Sequence, residues 1–265
     1  MSNVCLITGD HPRHKFFAEK LIATGQICSW VVESREAFVP VPPGNLDFGL
    51  KNLFIHHFSE RDRIENMIFH SGREAISVPT HKVDSVTLND DATIKFVNQF
   101  KPKLVISYGC HKLKAKFMDN ISARFWNTHG GLSPEYRGVI THFWPSYFLE
   151  PQMTGMTLHE TTDFLDGGEI IFQTAAPMVS GDSLHRLAAR NVELYSDALA
   201  SKLMGIDFLN LKRGLKQSGY GKVFMAKDWR PEHLQLIYNL YEDRIVDAVI
   251  SGQLTGREPN LVDVL

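Results

Sequence analysis

Three short apolar runs, each stopped by a turn, restrict what this 265-residue chain can fold into more than any other feature. Val4 to Thr8 ends in Gly9-Asp10, Ile27 to Val32 ends in Glu33-Ser34-Arg35, and Leu104 to Tyr108 ends in Gly109. A strand that is apolar on both faces needs cover on both faces, which is the condition of a parallel sheet between helices. The helical spacing of Phe16, Phe17, Leu21 and Ile22 after the first run supplies such cover. Gly9 stands alone, without the spacing of a dinucleotide fingerprint, and reads as a tight strand-to-helix turn. The expected fold class is α/β: a mostly parallel, Rossmann-like sheet flanked by helices, with a smaller C-terminal extension.

The connecting segments carry weaker signals. Ala37 to Leu53 holds Pro40, Pro42, Pro43, Gly44 and Gly49, and reads as a loop over the sheet edge with no long regular element. His56, His57, Arg61 and Arg63 are mixed with Glu60, Asp62 and Glu65, a pattern that favours a solvated helix face over a phosphate patch. Ser77 to Pro79 and Ser85 to Leu88 read as strand ends, and Asp90 to Phe100 as a helix ended by Lys101-Pro102. Thr141 to Phe148 reads as a helix started or interrupted at Pro145, with core aromatics. Ser180 or Asp182 can cap a long helix through Leu184, Leu187, Ala188, Leu199 and Leu203. Gly221 to Ala226 reads as a short strand, and Pro231 opens a last helix, Leu234 to Val249, that Gly252 ends. Its apolar stripe packs on the same chain or on a second subunit, so a homodimer is one reading.

Composition bears on partners. A net charge of -2 and a pI near 6.6 offer no broad basic face, which disfavours a nucleic-acid substrate. Cys5, Cys28 and Cys110 are odd in number, far apart and set in apolar stretches, as in a reduced intracellular protein. The start of the chain lacks a charged and then apolar leader pattern, and no apolar run approaches the roughly 18 residues of a membrane span. A cytoplasmic protein with no membrane contact is expected.

Chemistry concentrates between Arg124 and Ile171. An apolar pair, Phe125-Trp126, leads into Asn127-Thr128-His129-Gly130-Gly131-Leu132-Ser133-Pro134-Glu135-Tyr136-Arg137-Gly138. Asn127 and His129 are two residues apart, so on a strand they project from one face. Met156 to Glu160 alternates as a second strand, and a glycine-closed loop with Asp166 precedes a third apolar run. If the two loops pack together, an amide, an imidazole and a carboxylate meet in one pocket. Such a trio can stabilise a carbonyl oxyanion through Asn127 and His129 and move a proton through His129, with Asp166 keeping that imidazole charged and oriented. His142 and His159 read as structural or binding histidines. The spacings of His129, His142, His159 and Asp166 match no zinc pattern, so no metal is expected.

Asn-x-His, the Ser-Pro-x-Tyr-Arg-Gly loop and the later Asp-x-Gly-x-Ile resemble the signature of the folate-dependent formyltransferases. The matched residues are Asn127, His129, Ser133, Pro134, Tyr136, Arg137, Gly138, Asp166, Gly168 and Ile170. Gly130-Gly131-Leu132-Ser133-Pro134, where many members have Ser-Leu-Leu-Pro, is similar to the amino-sugar branch of that family. The resemblance implies 10-formyltetrahydrofolate as formyl donor and a primary amine, on a nucleotide-linked amino sugar, as acceptor. It also implies a donor site formed by the backbone of Tyr108, Gly109, Cys110, His111, Lys112 and Leu113 together with Thr162, Asp163 and Leu165. Gly130, Gly131, Tyr136 and Arg137 would face the acceptor. Residues 1–205 would form the catalytic domain, and 206–265 an extension with a short strand and a terminal helix. Another small amine as acceptor, a hydrolase passing the formyl group to water, and a non-catalytic folate- or nucleotide-binding relative are the alternatives.

Overall fold

A seven-stranded sheet forms the centre of the computed structural model, which describes residues 2–69, 78–219 and 221–265. In chain order the strands are β1 (Val4–Gly9), β2 (Ile27–Glu33), β3 (Thr80–Val83), β4 (Leu104–Tyr108), β5 (Arg124–His129), β6 (Tyr136–Gly138), β7 (Met156–Glu160), β8 (Ile170–Thr174) and β9 (Lys222–Phe224). The helices are α1 (Pro12–Ile22), α2 (Phe48–Phe69), α3 (Asp91–Gln99), α4 (Ala115–Asp119), α5 (Trp144–Tyr147), α6 (Leu184–Leu203) and α7 (Ile245–Ile250). The sheet runs β3-β2-β1-β4-β5-β7-β8; the first five strands are parallel, β7 adds antiparallel to β5, and β8 adds antiparallel to β7. The mostly parallel α/β fold expected from the apolar runs is the observed one.

The reason lies in the cover of the sheet. Phe16, Phe17 and Leu21 of α1 and Val192, Tyr195 and Leu199 of α6 pack on one face with Leu6 and Ile106. Ile94 and Val97 of α3 and Phe117 of α4 pack on the other with Ile7 and Val105. Every residue of β1 and β4 is buried, as a central parallel strand requires. Successive connections leave β1 in opposite directions, so the carboxyl ends of β1 and β4 part at a switch point where open sheets of this kind bind ligands.

Several local readings are corrected. The helix after the proline-rich loop begins at Phe48, so Gly49 and Leu53 lie inside α2. Only part of its charged face is solvated: Arg63 is exposed, whereas His57 and Glu65 are buried. Ser85 to Leu88 forms a turn after β3, tied by Asp84 accepting from the backbone of Val86 and Thr87; Ser77 lies outside the described residues. Helix α6 is capped by Ser183, whose hydroxyl accepts from the Arg186 amide, and not by Ser180 or Asp182. The last helix is broken into a 3-10 turn at Pro231–His233, a π-helical turn at Gln235–Leu240 and α7, because Glu242 and Asp243 both adopt positive φ (52° and 55°). Its apolar residues Leu234, Ile237 and Ile245 pack on the same chain, against Phe54 and Leu184. The C-terminal segment also pairs β9 with β6 and lays Asp263 beside Phe172 at the sheet edge.

Candidate active site

The antiparallel register of β5 and β7 sets Asn127 opposite His159 and His129 opposite Thr157. Opposed residues of such a pair share a face, so two histidines and an amide point the same way. Asp166, in the loop between β7 and β8, completes the group. Its φ of 47° places it in the left-handed region, which Asp tolerates better than most residues and which is often retained at functional sites. Gln217 Nε2 donates to the Asp166 carbonyl at 2.7 Å and holds that backbone in place.

The carboxylate is the hub. Oδ2 accepts from the Gly138 amide at 2.8 Å and lies 3.4 Å from His129 Nδ1; Oδ1 lies 3.3 Å from His159 Nε2 and 3.5 Å from Asn127 Nδ2. Gly138 is required there: its φ is 98°, and a Cβ would sit 2.1 Å from the Phe224 carbonyl oxygen. Ser107 donates to Asn127 Oδ1 at 2.8 Å, which turns Nδ2 toward His159 and Asp166.

Protonation follows from these partners. The Tyr136 carbonyl can only accept, so its 2.7 Å contact assigns a proton to His129 Nε2 and leaves Nδ1 facing Asp166. Burial lowers the His129 pKa below its ordinary value, and Asp166 opposes that shift without reversing it. Both ring nitrogens of His129 face acceptors, the Tyr136 carbonyl and the Asp166 carboxylate. Burial pushes the Asp166 carboxyl up, but His129, His159 and the Gly138 amide outweigh it and hold the group at about 2. An ionised carboxylate thus stands ready for an imidazolium that forms during a reaction.

Asn127, His129, His159 and Asp166 line one cavity of about 610 Å³. Tyr108 to Leu113 and Thr162, Asp163 and Leu165 line it too, and Lys112 Nζ donates to the Asp163 carbonyl at 3.1 Å, joining the two loops. Gly109 has φ 67°, and a Cβ there would fall 2.1 Å from the His14 ring. The His111 amide, one of the backbone groups assigned to the donor, is taken by Glu33 Oε2 at 2.8 Å. Tyr108 is buried against Phe17 and His14. Burial pushes the Cys110 thiol up to about 12, which disfavours the thiolate near neutral pH.

Of the four residues assigned to the acceptor, Gly130 lines the cavity and Gly131, Tyr136 and Arg137 do not. Tyr136 is buried with its hydroxyl on Glu150, and Arg137 Nε is buried without a hydrogen-bond partner among the described residues. His142 faces the cavity and makes a 3.2 Å contact to the Gly155 carbonyl, its pKa pushed down to about 3 chiefly by burial. Two further residues join the arrangement. His159, read from sequence as a structural or binding histidine, meets Asn127 and Asp166 only through the β5–β7 register. Glu33 is fully buried and holds both the amide and the ring of His111, and no local sequence signal marks it. Among the described residues no cluster of His, Cys, Asp or Glu is placed to hold a metal, and no helix is long and apolar enough to cross a membrane.

The chain matches the formyl transferase family over residues 60–203, more than half its length. It is 33% identical to the phosphoribosylglycinamide formyltransferase of Escherichia coli over 110 residues, 40% of this chain and 50% of that one. It is 26% identical to the methionyl-tRNA formyltransferase of Prochlorococcus marinus over 199 residues, 71% of this chain and 57% of that one. The chain thus spans about half the length of these curated relatives. Among solved structures, a sugar N-formyltransferase from a Shewanella species superposes with a TM-score of 0.56 at 17% identity, over 89% of this chain and 87% of the other. The N-formyltransferase of Helicobacter canadensis, in complex with folinic acid and dTDP-3-aminofucose, gives 0.53 at 16%, over 91% and 82%. At such identities the likeness is one of fold. The family match stands on the sequence itself, and it covers β5, β7 and the Asp166 loop: the chain belongs to the formyl transferase family.

Proposed function

We propose that this protein transfers a formyl group from 10-formyltetrahydrofolate to a primary amine carried by a nucleotide-linked amino sugar. The observation that carries the reading is the single carboxylate of Asp166 spanning His129 and His159 beside Asn127, on the wall of a cavity of about 610 Å³. The donor supplies a carbonyl carbon bonded to a nitrogen that can leave. As the amine forms its bond to that carbon, negative charge grows on the formyl oxygen, and Asn127 Nδ2 donates to it. His129 Nδ1 takes the proton of the attacking amine and Asp166 stabilises the resulting imidazolium; the same proton then passes to the leaving folate nitrogen as the carbon-nitrogen bond breaks. Donor recognition falls to the loop 109–113 and to Thr162, Asp163 and Leu165. Residues 1–205 carry this chemistry and the 206–265 extension closes the acceptor end, where its Trp229 lines the cavity.

The amino-sugar acceptor is favoured by the Gly130-Gly131 form of the motif, by a net charge that offers little to a tRNA backbone, and by the dTDP-3-aminofucose bound in a protein of the same fold. The test is tetrahydrofolate release with dTDP-, UDP- and GDP-linked amino sugars, with formyl gain on the acceptor followed by mass. Release that depends on one of these amines supports the reading. Formate release without any amine, or no turnover across the panel, contradicts it.

A further inference from the structure

Part of the cavity wall comes from helices α1 and α2 and from the C-terminal segment: Arg13, Phe58, Arg61, Glu65 and Trp229. Arg13 is ion-paired with Glu65. Arg61 has no carboxylate within ion-pair distance among the described residues; one of its terminal nitrogens donates to the Phe38 carbonyl, and its Nε is buried without a partner there. Its guanidinium lies against two rings, 4.4 Å from the Phe38 centroid and 4.8 Å from that of Phe58. Arg13 stands 5.7 Å from the same Phe38 centroid, so both cations share one wall. Glu65 and Asp62 act on Arg61 only from a distance, so no carboxylate closes on its guanidinium among the described residues. The neighbouring His57 and His185 add no charge, because burial holds both neutral.

A desolvated guanidinium without an acid partner is unfavourable in the free protein, and an incoming anion relieves it. Contact with the two rings holds the group in place, and its remaining N–H groups suit the oxygens of a phosphate, the anion that arginine recognises best. We propose that Arg61 is the phosphate anchor of the acceptor site: held against Phe38 and Phe58, it binds the diphosphate of a nucleotide-linked substrate and so sets the distance from that phosphate to the amine at Asn127, His129 and Asp166. The proposal rests on the formyl-transfer reading for what the phosphate is attached to.

Titration calorimetry with dTDP, UDP and GDP, their parent nucleosides and inorganic phosphate tests it, on wild type, Arg61→Met, Arg61→Lys and the exposed control Arg63→Met. At least one diphosphate is expected to bind wild type, to bind Arg61→Met at least about tenfold more weakly, in line with a lost charge-assisted phosphate contact, and to recover in part in Arg61→Lys. Arg63→Met should match wild type, and the nucleoside should not distinguish wild type from Arg61→Met. Diphosphate affinity unchanged in Arg61→Met overturns the anchor; inorganic phosphate binding as tightly as every diphosphate overturns the nucleotide assignment. Folinic acid titrated into the same samples reports folding and the donor site separately. If Arg61→Met does not fold, Arg61→Lys must weaken the diphosphate without weakening folinic acid, or the proposal fails. Absence of folinic acid binding in wild type would instead defeat the formyl-transfer reading.

Discussion

Asp166 ties two histidines, an amide side chain and a backbone amide to one carboxylate, so each partner contributes through the others. His159 is the partner whose role is least evident from sequence. The 2.8 Å contact to the Glu160 carbonyl assigns a proton to Nδ1, and Nε2 lies 3.2 Å from Asn127 Nδ2 and 3.3 Å from Asp166 Oδ1. His159→Gln removes that support from both Asn127 and Asp166. Losing a hydrogen bond to a charged group costs about 1.5–3 kcal/mol, which converts to roughly a 10- to 100-fold fall in kcat. Donor affinity should hardly move, and combination with Asp166→Asn should cost less than the product of the single effects, because the residues act as a unit. Steady-state kinetics of the two single variants and the double variant check this; a kcat within about twofold of wild type, far from that loss, would place His159 outside the machinery. The convergence of Asn127 and His129 was legible because a two-residue spacing means one face in any strand. His159 was not, because its relation to Asn127 exists only in the β5–β7 register.

At the scale of elements, the donor loop depends on how tightly β1, α1 and β4 meet. Gly109 sits at their junction with φ 67°, and any Cβ would enter the His14 ring. Gly109→Ala should therefore destabilise by about 1–3 kcal/mol and weaken folinic acid binding, since strain and overpacking act at one point. Urea unfolding and a folinic acid titration measure the two effects, and an unchanged midpoint with unchanged affinity would contradict this account of the loop. The strands of the sheet were legible because continuous apolar runs leave one solution, burial on both faces. The start of α2 at Phe48 was not, because Asp47 caps it through its carboxylate to the Leu50 amide while nearby prolines mask the pattern. The break at Glu242-Asp243 was hidden too: apolar spacing continues across it, and only tertiary contact, including Asp243 accepting from the Leu184 amide at 2.8 Å, turns the chain.

Over the whole molecule, His14, His57, His129, His142 and His185 are all held below the ordinary imidazole pKa, with burial the main cause. The folded state resists protons that the unfolded chain accepts, so their contribution to stability is complete above about pH 6.5 and is lost as pH falls toward about 3, the value to which His57 and His142 are pushed. Asp166, depressed to about 2, adds a loss only below about pH 4. The melting temperature should be level from pH 8 to 7 and fall by several degrees by about pH 5, in keeping with a stability change of up to several kcal/mol for buried imidazoles. A level melting temperature across that range would mean that these rings are open to solvent. The central claim, that Asn127, His129 and Asp166 carry out formyl transfer, is tested most directly by turnover of His129→Ala at saturating donor and amine, with folinic acid affinity measured on the same protein. The account predicts a loss on the order of a hundredfold or more with affinity retained. Turnover above about a tenth of wild type, well short of that loss, would contradict it.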